Sequence, residues 1–195
     1  MAKETKIKFN PDLDYQKEAV SSSLLLFNGQ RKSSSPFTIS RGVGMFAQDE
    51  KSLVVGEGNR LTISEGKLLD NLRSIQMENG LDVSETMKKA DFTIEMETGT
   101  GKTYVYLRTI INLYLEYDFK KFIIVVPNRA IREGVNASLN DLKDHFHALY
   151  GIRYKHFIYN SQDLGQVTSY ARSTTLEIMI INISAFNRSY KNIDD

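Results

Sequence analysis

The segment Glu95-Met96-Glu97-Thr98-Gly99-Thr100-Gly101-Lys102-Thr103 carries the most legible chemistry in this chain. A nucleoside triphosphate presents a row of negative oxygens. The N-terminus of a helix can hold them with N–H groups that have no intrahelical acceptor and with the positive end of the peptide dipole. Gly99 and Gly101 let the backbone wrap close to phosphates without a Cβ in the way, so Thr98 to Gly101 can supply the backbone donors. Lys102 can reach the β- and γ-phosphates, and the Thr103 hydroxyl can ligate a magnesium ion that bridges them. The full pattern G-x-x-x-x-G-K-[ST] has Met96 in place of its first glycine, which makes this a variant of the motif. Without the right neighbours the same residues would be only a glycine-containing loop with a chance Gly-Lys-Thr.

The neighbours have the right pattern. Phe92 to Glu95 is expected to be a strand leading into the loop, and Thr103 to Tyr117 a helix leading out of it. That helix carries Val105, Leu107, Ile110, Ile111, Leu113 and Leu115 over more than half its circumference, so burial against a sheet is expected on most sides. Phe122 to Val126 is apolar throughout, as in a strand covered on both faces. Ile131, Val135, Leu139, Leu142, Phe146 and Leu149 step by three and four and predict one amphipathic helix. Two more strands are expected near Tyr154 to Ile158 and Glu177 to Ile183. Alternating strand and helix argue for an α/β fold with a parallel sheet and flanking helices over residues 91–195.

Residues 1–90 read differently. Leu13, Gln16, Val20, Leu24 and Phe27 form an amphipathic stripe opened by Pro11-Asp12. Phe37-Thr38-Ile39, Ser52 to Val55 and Arg60 to Ile63 look like short strands, with Gly56-Glu57-Gly58-Asn59 as a hairpin turn between the last two. Ser64 is placed to cap a helix bearing Leu68, Leu69, Leu72 and Ile75, which ends at Asn79-Gly80.

Composition excludes several classes. With 195 residues the chain can bury a sizeable core, and Lys+Arg 25 against Asp+Glu 24 leaves a net charge of +1, so any nucleic-acid contact must be local. Cysteine is absent, which removes disulfides, thiolate metal sites and a thiol nucleophile, and His145, His147 and His156 lack ligand spacing. The longest apolar run, Phe122 to Val126, is far short of a membrane span, and Met1 to Lys6 lacks a secretory signal. A cytoplasmic location is therefore expected.

Around the loop, further segments resemble the motifs of helicase superfamily two. Tyr15-Gln16 resembles the upstream glutamine motif whose amide reads adenine, although by itself Gln16 is only a polar residue on an amphipathic helix. The run from Val126-Pro127-Asn128-Arg129 through Arg132-Glu133-Gly134-Val135 resembles motif Ia, which touches the nucleic-acid backbone and makes Arg129 and Arg132 the candidate DNA contacts. Ile181 to Asn187 lies where motif Ib is found. More narrowly, the wording of these segments is similar to the restriction (Res) subunit of bacterial type III restriction-modification systems. That resemblance implies a RecA-like P-loop NTPase sheet, ATP and Mg2+ as cofactors, and an ATP-dependent translocase on double-stranded DNA with a nuclease domain. It also implies a modification (methyltransferase) subunit as partner. No Asp-Glu pair follows an apolar strand, and the chain reaches Asp194-Asp195 before motif II, so an incomplete first motor domain with no catalytic residue of its own is expected. The alternatives are another superfamily-two motor, such as that of a type I restriction enzyme or a repair helicase, and a nucleotide-binding interaction module that hydrolyses nothing.

Overall fold

The computed structural model describes residues 9–32, 35–40 and 53–191. Its elements are α1 (Asp14–Leu25), β1 (Ser35–Ser40), β2 (Leu53–Gly58), α2 (Glu65–Glu78), α3 (Lys102–Tyr117) and β3 (Lys121–Val126), followed by α4 (Arg129–Asp141), α5 (Lys143–Tyr150), β4 (Lys155–Ile158), α6 (Leu164–Arg172), β5 (Glu177–Asn182) and α7 (Ile183–Lys191). They form two compact units that alternate along the chain. The first holds residues 1–31, 61–113 and 138–152, and the second holds 32–60, 114–137 and 153–195.

The first unit is helical. Fully buried Leu107 and Ile111 of α3, with Leu139, Leu142 and Phe146, form its apolar centre, and each such side chain contributes about 1.5–3 kcal/mol by leaving water. Two buried amides join α1 to α2. Asn71 Nδ2 donates to the carbonyls of Leu26 and Asn28, both at 2.9 Å, and Gln30 Oε1 accepts from Thr62 N at 2.8 Å and Ile63 N at 3.3 Å. Ser64 caps α2 as the sequence predicts, its hydroxyl accepting from Lys67 N at 3.2 Å.

The second unit is an α/β layer. β3 and β4 both pair with β5 in parallel, giving the order β3-β5-β4, and β1 pairs with β2 antiparallel in a separate two-stranded sheet. The central strand β5 is buried from Glu177 through Ile181. β3 is not covered on both faces, contrary to the expectation from its sequence: Ile123 is 47% and Val125 40% exposed. An apolar run identifies a strand but not its place in the sheet, and here the middle position belongs to β5.

Other expectations are also corrected. Phe92 to Glu95 forms no ladder among the described residues and runs as irregular chain into the loop, because a strand exists only through its hydrogen-bonded neighbours. Gly56 to Gly58 lies inside β2, paired with Ser35 to Phe37, and Leu61 to Ile63 is not a strand. The single helix expected over Ile131 to Leu149 is two, α4 and α5, separated at Leu142. The three-and-four spacing continues across that break, with Leu139, Leu142 and Phe146 all buried, so periodicity could not reveal it. Residues 33, 34, 41–52, 194 and 195, on which parts of the sequence reading rest, lie outside the described residues.

Candidate nucleotide site

The loop after Glu95 turns twice through backbone conformations that glycine tolerates, with φ of +84° at Gly99 and +85° at Gly101. α3 then begins at Lys102. Its 16 residues align enough peptide dipoles to leave a positive end at the loop, and its first-turn N–H groups have no acceptor within the helix. Two side chains brace the loop from inside. Thr100 Oγ1 donates to the Glu97 carbonyl at 2.7 Å, and Lys102 Nζ donates to the same oxygen at 2.9 Å. The lysine is exposed, and the carbonyl it bonds is neutral. Thr98 and Gly99 are exposed, while Thr100, Gly101 and Thr103 are half-buried.

Gln16 reaches this loop from 84 residues earlier in the chain. Its Nε2 donates to the Thr100 carbonyl at 2.8 Å, and the residue is 5% exposed. Glycine is required at Gly101 by its φ, and a Cβ there would also lie 2.6 Å from that same nitrogen, so the glutamine end would have to move. Gln16 Oε1 is buried with no hydrogen-bond partner. An orphaned buried acceptor costs about 1–3 kcal/mol. The bound nitrogen still has a second hydrogen to offer.

Beside the loop a cleft of about 920 Å³ opens between Tyr15, Glu18 and Ser22 of α1, Ile75 of α2, and the chain from Thr93 to Thr100. That volume is within the range of sites that enclose cofactors. Thr103 stands in the first turn of α3, and no cluster of three or more metal-ligating side chains occurs among the described residues. Thr103 would be the residue to hold a magnesium ion brought in with a phosphate, a hard cation that takes oxygen ligands. Burial pushes the Tyr106 phenol pKa up, and the Thr103 side chain one turn before it works in the opposite direction.

The position of α3 is fixed on the side away from the loop. Arg108 donates from Nε to the Tyr150 hydroxyl and from Nη1 to the Pro11 carbonyl, both at 2.6 Å. The Tyr104 hydroxyl and His145 Nε2 lie 2.9 Å apart, and the Phe9 ring stacks on Tyr104 at 6.1 Å. Burial first, then Arg108, holds the His145 pKa below its usual value, so the ring is neutral at pH 7 and Nε2 can accept the phenol's proton. In the unfolded chain the histidine protonates near its ordinary pKa of about 6.5. The unfolded state therefore binds more protons in the window below that value, and stability falls as pH drops through it. Thermal unfolding measured from pH 7.5 to 5.5 should show this loss in the wild type, and His145→Phe, which cannot titrate, should flatten it.

The candidate DNA-contacting arginines lie at the start of α4. Arg129 is exposed, and Asn128 caps the helix, its Oδ1 accepting from Ile131 N at 2.9 Å. Arg132 is engaged by its neighbour, with Nη2 2.7 Å from Glu133 Oε1. The sequence reading does not identify Asn128 as a cap, although Asn before a helix is a known signal. It also misses the Glu97 carbonyl as the loop's internal acceptor, which no side-chain pattern reports.

The family described as type III restriction enzyme, res subunit, matches residues 11–195. This chain belongs to that family. The res-subunit fold is RecA-like, consistent with the incomplete α/β layer and its three parallel strands. Among curated relatives, the Res subunit of the type III restriction-modification enzyme EcoP15I of Escherichia coli is 35% identical over 140 residues, which are 68% of this chain and 14% of that protein. The EcoPI Res subunit of Escherichia phage P1 is 32% identical over 153 residues, 75% of this chain and 16% of that one. The StyLTI Res subunit of Salmonella typhimurium is 31% identical over 125 residues, 55% of this chain and 13% of that one. The match with the EcoP15I relative thus spans only 14% of that protein's length. No helix among the described residues of this res-subunit chain is long and apolar enough to cross a membrane.

Proposed function

We propose that these residues form the nucleotide-gripping part of an ATP-driven DNA translocase, the motor of a type III restriction enzyme. The observation that carries the reading is the junction of Gln16 with the phosphate loop, where a buried amide touches Thr100, closes on Gly101 and keeps one acceptor unpaired. In this reading Gln16 Oε1 accepts from the adenine amine. The backbone of Thr98 to Gly101 and the first turn of α3 hold the phosphates, Lys102 leaves the Glu97 carbonyl for the β- and γ-phosphates, and Thr103 ligates magnesium. Magnesium, when bound, neutralises charge that develops on the phosphates during transfer. Residues 91–195 are the motor core in this proposal, and residues 1–90 bring the glutamine to it.

No Asp-Glu pair follows an apolar strand in this sequence to hold magnesium from the far side and orient water, so the chain is inferred to bind ATP weakly and to turn it over negligibly. In the whole enzyme the motor would act on double-stranded DNA beside a modification subunit, in the cytoplasm, where ATP and DNA meet. Titration calorimetry of the chain with ATP, with and without Mg2+, tests the proposal. Binding that needs the metal is expected, and the absence of binding up to millimolar ATP would overturn it.

Arg129 is proposed to face DNA phosphates, with Arg132 joining once it leaves Glu133. A net charge of +1 leaves few cations for this task. DNA binding by the chain should therefore be nonspecific and fall by about tenfold or more between 50 and 200 mM salt. Gel shifts with one duplex and its scrambled counterpart at two salt concentrations check this; strong discrimination between the duplexes at physiological salt would contradict it.

A further inference from the structure

The start of α1 is not tied down by a cap of its own. Leu13 stands at the N-cap position and makes no side-chain capping bond. The tie comes from α3. Pro11, two residues earlier, has no N–H, and its carbonyl accepts from Arg108 Nη1 at 2.6 Å. The same guanidinium donates from Nε to the Tyr150 hydroxyl at 2.6 Å, and Asn112 Nδ2 lies 3.4 Å from that oxygen. Nε and Nη1 belong to one planar group, so an arginine bonded at both has its fork fixed in place, which a single attachment would not achieve.

The segment that Arg108 holds is the one that delivers Gln16. Arg108 lies about 9 Å along α3 from Lys102, so the chain from Pro11 to Gln16 is tied at two separated points, one on the helix and one on its loop. The second point has little slack. Gln16 Nε2 is 2.8 Å from Thr100 O, and a hydrogen bond is gone by about 3.6 Å, so a shift of α1 by about 1 Å breaks it. That bond also sets which way the amide faces. With Nε2 on Thr100, Oε1 is the atom without a partner, and an acceptor there matches the amine of adenine. Guanine carries a carbonyl at the equivalent position, and an amide released from Thr100 can turn its NH2 toward it.

We propose that Arg108 is a positioning residue for base selection: by clamping Pro11 it keeps Gln16 on Thr100 with its acceptor free for the base, and so makes the site prefer adenine over guanine nucleotides. This rests on the reading of Gln16 as the residue that meets the base. Arg108 itself touches neither base nor phosphate in this assignment and acts only through α1.

NMR on the 195-residue chain tests both links. Without nucleotide, Arg108→Met should move the Gln16 side-chain NH2 signals toward those of a free glutamine and speed their exchange by about tenfold, the scale of one hydrogen bond. The side-chain signals of Asn71, whose bonds to Leu26 and Asn28 do not involve the arginine, should stay in place. A Gln16 signal that does not move, or one that moves together with Asn71, overturns the clamp. Titration with Mg–ATP and Mg–GTP, followed at the Thr100 and Gly101 amides, then gives the base preference. In Arg108→Met it should fall by about tenfold, ATP weakening while GTP holds or tightens. Equal weakening of both nucleotides overturns the selective role and leaves Arg108 a structural brace. No ATP preference in the wild type overturns the reading of Gln16 as the base contact, and the nucleotide-free Gln16 signal separates that failure from a failure of the clamp. Should Arg108→Met fail to fold, Tyr150→Phe keeps the arginine and removes one of its two acceptors. It should displace the Gln16 signal in the same direction by a smaller amount, and no displacement overturns the clamp.

Discussion

Lys102→Ala is expected to lower the affinity for magnesium–ATP by about a hundredfold, which in a weakly binding chain amounts to loss of measurable binding. A hydrogen bond to a charged group contributes about 1.5–3 kcal/mol, and an ammonium set against two phosphates at a helix N-terminus belongs at the upper end. About 2.7 kcal/mol corresponds to a factor of one hundred. The protein's own stability should be little affected, because the lysine is exposed and bonds to the neutral Glu97 carbonyl. Thermal unfolding without nucleotide should thus match the wild type, while a calorimetric titration separates the two. Equal affinity for ATP in both would remove the loop from the nucleotide site.

Phe146→Ala should cost about 3–5 kcal/mol of folding stability, the range for deleting a fully buried ring. Phe146 has 0% of its surface exposed, and its ring lies 5.5 Å from Tyr104, 5.4 Å from His145 and 6.3 Å from Tyr150. These residues are on α3 and α5, so the cavity cannot close without moving the helix that carries Lys102 and Thr103. Domains are typically stable by about 5–15 kcal/mol, so this variant should be partly unfolded or close to it. Urea denaturation followed by circular dichroism gives the loss directly. Leu149→Ala, at a 42% exposed position on the same helix, is the matched control and should stay within about 0.5 kcal/mol of the wild type. Two equal midpoints would show that the core does not centre on Phe146.

The parts of the molecule that are legible in the sequence are those whose signal is local. Gly99, Gly101, Lys102 and Thr103 lie within five residues, and the helix after them needs no distant partner to be recognised. Ser64 as a cap and the apolar steps of α3 are readable for the same reason. Most of the misreadings concern partners; the break at Leu142 does not, because the three-and-four spacing runs through it. Phe92 to Glu95 has the composition of a strand, yet a ladder requires neighbours that composition cannot supply. Val54 to Glu57 pairs with Pro36 to Ile39 and not with the segment after Asn59, because glycines that suggest a turn are also tolerated in a short strand. Gln16 is singled out by its resemblance to the glutamine motif, but its bond to Thr100, which joins residues far apart in the chain, is not readable from the sequence. The bonds of Asn59 to the backbone of Lys120 and Lys121 are invisible for that reason too, since a single exposed asparagine has no signature.

The order in which the strands are synthesised runs against the order in which they lie. β3 and β4 are completed first, but each is hydrogen-bonded to β5, the last of the three in the chain. During translation at ~5–20 residues per second, the ribosome takes roughly three to eleven seconds to go from Val126 to Asn182. For that interval β3, joined by β4 once Ile158 is added, waits with their common partner unmade. Loop closure over such a distance cannot be completed earlier by any local propensity. A nascent chain of this protein therefore has a vulnerable period whose end is set by the emergence of Glu177 to Ile181, and slow codons placed between β4 and β5 would lengthen it.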